Sequence, residues 1–322
     1  MRQWEELELD SGNKIDEARK RQRFFAASAR ALSTFAAALV VGALMFLSVP
    51  NAQAQGYEAN AAVIACGNSI GNCGCTITKP GFYQVTANLS SSQGLTAMNG
   101  CIDIKASKVV LNVGQPPPPH QRSDGFDLTG PGGVTPTGVG IHILKGSNGD
   151  FVELPSNVDG WDVGILIEGN NNIIEDFDAD SNGTAGVEIN GGKNNNINDL
   201  GAGNNKNFGV WLRGASSNQV NCSNTDDNGN VGVYVGCSST GLINAKCSPS
   251  VPASKSNRIY DHSANSNSKY GIVIDLGNTG NNVSDVNATG NGTMDMVDAN
   301  ANCDSDLWFF NHFNTASELC IN

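Results

Sequence analysis

Three stretches decide the fold: NIIEDFDADSNGTAGVEI at 172–189, NNINDLGAGNNKNFGVWL at 195–212 and NQVNCSNTDDNGNVGVYV at 218–235. Each opens on an asparagine, sets a β-branched residue two positions on and repeats asparagine ten positions after the first. Each then closes on glycine followed by an apolar-x-apolar triplet. Working outward, the asparagine phrase recurs at Asn257/Ile259/Asn267 and Asn281/Val283/Asn291, and the glycine phrase at Gly140, Gly164 and Gly271. With Thr293-Met294-Asp295-Met296 taken as a seventh copy without its glycine, the steps are 24, 22, 23, 23, 39 and 22 residues. The long step is one period carrying an insertion. A fixed period of this length marks a solenoid.

Residue type says which solenoid. The apolar positions are Val and Ile in short alternating bursts broken by Gly, Asn, Ser and Asp, and alternation with period two means strands. About 22 residues per turn leave no room for a helix between strands, so the expected architecture is a parallel β-helix with coils stacked about 4.8 Å apart. The asparagines then stack too, one per coil, with amides able to bond each other and unpaired turn backbone.

The phrase Asn-x-Ile-x-x-x-x-Ala-x-x-Asn-x-x-x-Gly-Ile-x-Ile resembles the repeat of the pectin-lyase-like superfamily. That resemblance implies an all-β, right-handed single-stranded parallel β-helix with an N-terminal cap. It leaves function open, because the superfold carries lyases, hydrolases, epimerases and non-catalytic surface proteins. Asn224-Thr225-Asp226-Asp227 matches the start of the polygalacturonase signature, but no Gly-His-Gly follows and Arg258-Ile259 continues with Tyr260. The closing segment, with Trp308, Phe309, Phe310 and Phe313, is similar to that of secreted bacterial β-helix proteins, and these rings are expected to plug the end of the solenoid.

The chain has 322 residues with 31 acidic against 19 basic side chains, a net charge of −12. That balance argues against nucleic acid as partner, and against an anionic polymer unless a cation mediates. Residues 1–54 read as a secretory signal segment with a long polar leader: basic residues to Arg23, an apolar run at 31–49, then Ala52-Gln53-Ala54 as the cleavage site. The competing reading is an uncleaved anchor, since the run is nearly long enough to span a bilayer. The expected products are a secreted, periplasmic or cell-surface protein, no membrane contact once the signal is removed, an N-terminal cap at 55–100, the β-helix at 101–300 and a closing segment at 301–322. A Pro-rich loop at 115–137, bearing His120, Arg122, Asp124 and Asp127, and the insertion at 237–253 interrupt the coils without strands of their own.

All nine cysteines follow the leader, which favours disulfides in an oxidising compartment. Cys237 and Cys247 should staple the insertion, and Cys303 and Cys320 the C-terminal segment. Cys66, Cys73, Cys75 and Cys101 should pair in an order the sequence leaves open, with Cys222 unpaired.

If Val187 and Ile189 point inward, their neighbours point out. Stacked, they form two columns: His142, Leu166, Glu188, Trp211, Tyr234, Val273, Asp295, and Leu144, Glu168, Asn190, Arg213, Gly236, Asp275. Trp above Tyr, flanked by acids, Asn190 and Arg213, is what a sugar-binding surface needs: flat apolar faces for rings and polar groups for hydroxyls. The candidate substrate-binding residues are therefore His142, Asn190, Trp211, Tyr234 and Asp275. For catalysis, as a polysaccharide hydrolase or lyase, Glu168 and Glu188 would serve as acid and base, with Arg213 stabilising charge. Carboxylates offset by one coil and two residues lie about 8 Å apart from strand spacings, a separation that suits an inverting polysaccharide hydrolase. The alternative is a non-catalytic extracellular scaffold whose aromatic ladder only stabilises the sheet. No cofactor is required. Calcium at Asp176, Asp199, Asp261 and Asp285 competes with turn capping by the same aspartates, and Asp261-His262 reads as a turn pair.

Overall fold

The structure, a computed structural model, describes residues 65–91, 100–113, 125–133, 136–153, 157–241, 243–244 and 247–322. The leader at 1–54, its apolar run, and His120, Arg122 and Asp124 lie outside the described residues. Among the described residues no helix is long and apolar enough to cross a membrane.

Among the described residues every strand pairing is parallel. Sheet A has nine strands, from Cys75–Ile77 to Met294–Asp298, and carries the glycine phrases. Sheet B has eleven strands and carries the asparagine phrases, while sheet C is a short set of Leu89–Ser90, Leu128–Thr129 and Val158–Asp159. Each coil visits A and then B before returning one step along the axis, the right-handed crossover that parallel strands take. The chain is a right-handed parallel β-helix.

Register follows the sequence repeat. Ile174, Ile197, Val220, Ile259 and Val283 lie side by side on sheet B, all fully buried. Val187, Val210, Val233 and Ile272 do the same on sheet A. Each such side chain contributes roughly 1.5–3 kcal/mol by leaving water. A slip of one residue would expose the whole column, so register is strongly specified.

Two asparagine ladders stitch the coils at their corners. In the first, the backbone N–H of Asn195 donates to Oδ1 of Asn218 (2.9 Å), that of Asn218 to Asn257 (3.0 Å) and that of Asn257 to Asn281 (3.0 Å), while each amide also donates to a backbone carbonyl one coil back. The second runs through Asn182, Asn205, Asn228, Asn267 and Asn291. Both ladders end on an aspartate that accepts the last N–H: Asp306 for Asn281 and Asp295 for Asn291. At the end of the stack no further coil needs an amide donor, and a carboxylate with only acceptors suffices.

The second ladder also explains the glycines. A Cβ at Gly186 would sit 2.5 Å from the Ala179 carbonyl and 2.9 Å from the Asn205 amide. Gly186→Ala is therefore expected to cost about 3 kcal/mol, the upper end for overpacking, read as a lower denaturation midpoint at unchanged slope.

Four expectations need correction. The seventh glycine position is Asp295, not Thr293, because Tyr270 pairs with Met294 and Ile272 with Met296. The last step is thus 24 residues, and Val297 rather than Asp295 continues the outward column. Asp295 instead receives Asn291, Asn314 and Thr315; burial works against its charge, but these hydrogen bonds hold its carboxyl below the usual range. Within 115–137, Leu128–Thr129 is a strand of sheet C. At the C-terminal end Trp308 is buried and donates to Asp298, but Phe310 is 80% exposed and plugs nothing. Parallel stacking also begins before residue 101, with Cys75–Ile77 already paired to Gly100–Ile104.

The disulfides are Cys66–Cys75, Cys73–Cys101, Cys237–Cys247 and Cys303–Cys320, leaving Cys222 free. The two pairings expected from spacing are present, and the N-terminal pair order is now assigned.

Candidate functional site

The outward face of sheet A divides into a polar half and an apolar half. In the polar half the strands bring His142, Leu166 and Glu188 side by side, with Glu168 just past the end of Val163–Ile167 and Asn190 beside Arg213. His142 is buried and its Nε2 lies 3.0 Å from Glu168 Oε2, with Nδ1 3.7 Å from Asp103 Oδ1. Arg213 Nη1 reaches Glu188 Oε1 at 3.5 Å, and its guanidinium lies over the Trp211 ring, 5.1 Å from the centroid.

The two glutamates sit in opposite environments. Burial raises the Glu188 carboxyl to about 7 against the pull of Arg213, with Asp162 and Glu168 adding to the rise. The hydrogen bond from His142 holds Glu168 below the ordinary range despite partial burial. At neutral pH one carboxyl is poised to hold a proton while its neighbour is charged, the division of labour that acid–base chemistry requires.

Asp103 completes the row and was missed. It pairs with His142 across sheet A, accepts the Gly100 N–H at 2.7 Å and is raised by burial. The signal was Ile102-Asp103-Ile104, an alternating triplet one coil before the first aligned glycine. Cys101 occupies the glycine position there, so alignment on glycine passes over it.

The apolar half departs from expectation. Trp211 is 2% exposed and Tyr234 fully buried. Phe208 stacks on Tyr234 at 5.1 Å, and with Val231, Val273 and Val297 these rings form a second core outside the solenoid, flanked by Ile243 of the insertion. The insertion lies over them as a strap: Asn244 N–H donates to Asp275 Oδ1 (2.6 Å), and Tyr234 Oη donates to Asp275 Oδ2 (2.7 Å). Trp211 Nε1 donates to the Gly236 carbonyl at 2.8 Å. Trp211, Tyr234 and Asp275 are thus structural partners of the strap in this conformation, not a surface open to sugar rings. Outward-facing aromatics on a sheet read alike whether bare or covered. What differs is a 39-residue step whose extra segment is long enough to fold back.

The aspartate column has a backbone explanation. Asp176, Asp199, Cys222, Asp261 and Asp285 all adopt positive φ, between 49° and 59°, at the same point of successive sheet B strands. Aspartate tolerates the left-handed region better than most residues. Among the described residues no group of three or more His, Cys, Asp or Glu is placed to hold a metal ion. A cleft of about 870 Å³ opens beside this column, lined by seven aspartates, including Asp127, Asp178 and Asp226, and by no lysine or arginine.

His262 is not part of a turn. It points into the solenoid beside Ser223 and Val286, with Nε2 2.8 Å from Thr225 Oγ1, and burial lowers it to about 3. The unfolded chain protonates this side chain near its ordinary value of 6.5, the folded chain only near 3. The His262 contribution to stability is therefore fully present above about pH 6.5 and is lost as pH drops toward 3. His262→Leu, matching Leu200 in the same column, is expected to flatten much of the acid limb of stability in urea titrations between pH 7 and pH 4.

No family model and no curated protein matches the sequence. Among solved structures, the periplasmic alginate epimerase AlgG is similar at 14% identity and TM-score 0.47, over 72% of this chain and 51% of that one. The Dettilon tailspike protein gp208 is similar at 13% and 0.44, over 73% and 54%. The Azotobacter vinelandii mannuronan C-5 epimerase AlgE4 A-module is similar at 15% and 0.41, over 68% and 64%. The chain thus spans about half the length of the first two.

Proposed function

We propose that the chain is an exported glycan-processing β-helix that binds a polysaccharide on the polar half of sheet A and cleaves it hydrolytically. In this reading Glu188 delivers a proton to the leaving oxygen, Glu168 activates water, and Arg213 and His142 balance charge. One observation carries it: neighbouring coils hold two carboxyls in opposed states, one desolvated beside Arg213 and one charged beside His142. A purely structural sheet has no need to bury an acid there, because a hydrophobe of similar size is at least as stable. Export is supported by four disulfides.

The second reading, a non-catalytic extracellular scaffold, is favoured by a different observation: the aromatic half of the face is sealed by its own strap. Incubating the full chain with a panel of polysaccharides and assaying both retention and new reducing ends separates the two. Retention of at least one glycan with new reducing ends is the expected result. No retention and no cleavage across the panel overturns the glycan reading in favour of the scaffold.

A further inference from the structure

Resting on the glycan reading above, we infer that the polymer taken by the sheet A row carries no acid groups: its units are neutral sugars or amino sugars, and polyuronates are turned away. The row itself supplies the argument. Asp103, Glu168 and Glu188 face outward along three coils, and Asp162 stands close enough to Glu188 to act on it electrostatically. Against them stand four cationic or titratable groups. Arg213 is committed to Glu188 and to the Trp211 face, His142 lies between Asp103 and Glu168, Lys145 acts on Glu168, and the exposed Lys105 stands one coil before Leu144, two coils from Glu168.

A polyuronate presents one carboxylate per sugar. Where it crosses Asp103 and Glu168 these would face carboxyls whose shared partner His142 is already engaged, and charged acceptors without donors opposite are costly. Hydroxyls and amines behave differently. A hydroxyl donates to Glu168 or Asp103 as readily as water does, and a protonated amine adds a charge-assisted bond. Approach follows the same sign. The chain carries −12 overall, and the cleft beside sheet B is lined by seven aspartates without a cation. That field disfavours a polyanion at low salt, and beyond about 8 Å it is screened at physiological ionic strength, which leaves the row itself to discriminate.

The test is binding of the full chain to three sets of oligosaccharides: glucosamine oligomers, neutral glucose and N-acetylglucosamine oligomers, and galacturonate and mannuronate oligomers with and without calcium. Each is measured at low and at about 0.15 M salt, for the wild type and Glu168→Gln. The expected result is that at least one neutral or amino-sugar set binds at least tenfold tighter than either uronate. Any amino-sugar binding should weaken with salt and in Glu168→Gln, while neutral binding is little affected by salt. Uronate binding equal to or tighter than the other sets, with or without calcium, overturns this inference and leaves the glycan reading standing. Absence of binding to all three sets overturns both.

Discussion

Asn218→Ala should lower the unfolding free energy by about 3 kcal/mol, whereas Asn198→Ala should cost less than about 1 kcal/mol. Both are asparagines in the middle of the stack, and their partners differ. Asn218 is fully buried and its Oδ1 accepts both the backbone N–H and the amide of Asn195. Truncation strands the Asn195 N–H in a place water does not reach, at roughly 1–3 kcal/mol, and loosens the amide bonds on either side of it. The Gly192 carbonyl loses the Asn218 amide but keeps the Ser216 N–H. Asn198 is half-exposed on sheet B, where it accepts from Asn221 and donates to the Glu175 carboxylate, groups that water can serve in its place. Because each coil contacts only its neighbours, the Asn218 defect should also broaden the unfolding transition. Denaturant titration of both variants measures midpoint and slope together.

Glu188→Gln should reduce glycan cleavage by about 100-fold or more while leaving binding within a few fold, the usual worth of a general acid being about 10²–10⁴. Glutamine keeps the shape and still bonds Arg213 but has no proton to give. The same variant tests the electrostatics without any substrate. Below about pH 4.5 Glu188 is neutral in folded and unfolded chains alike, and between about 4.5 and 7 only the unfolded chain ionises it. The Glu188 component of stability should therefore fall as pH rises through that window, opposite in sign to that of His262, and the difference between wild type and Glu188→Gln isolates it. An identical pH dependence in both would mean that Glu188 is solvated.

The fold was legible because register and glycine obey hard sterics. Gly186 and Asn205 could only repeat together if successive coils pressed one amide against one Cα. The polar row was legible for the same reason, since alternation alone put His142, Glu168, Glu188 and Arg213 on one face. Asp103 was hidden by the Cys101 substitution at the glycine position. The burial of Trp211 and Tyr234 was hidden because it depends on where a non-repeating insertion lands, and periodicity carries no information about segments that do not repeat. The Asp295 misplacement has a similar cause: the segment stacked beyond it, Asn314 to Ser317, does not repeat the coil, so the steric demand that fixes glycine elsewhere is lifted there.

The most direct test of the central claim, that the outward face of sheet A holds a proton-bearing carboxyl beside a charged one, is a carboxyl carbon-13 NMR titration of Glu168 and Glu188 in the intact chain. The account predicts a Glu188 midpoint near 7 and a Glu168 midpoint below the ordinary glutamate value. Two overlapping midpoints at the ordinary value of about 4.3 would contradict it and leave that face a solvated sheet.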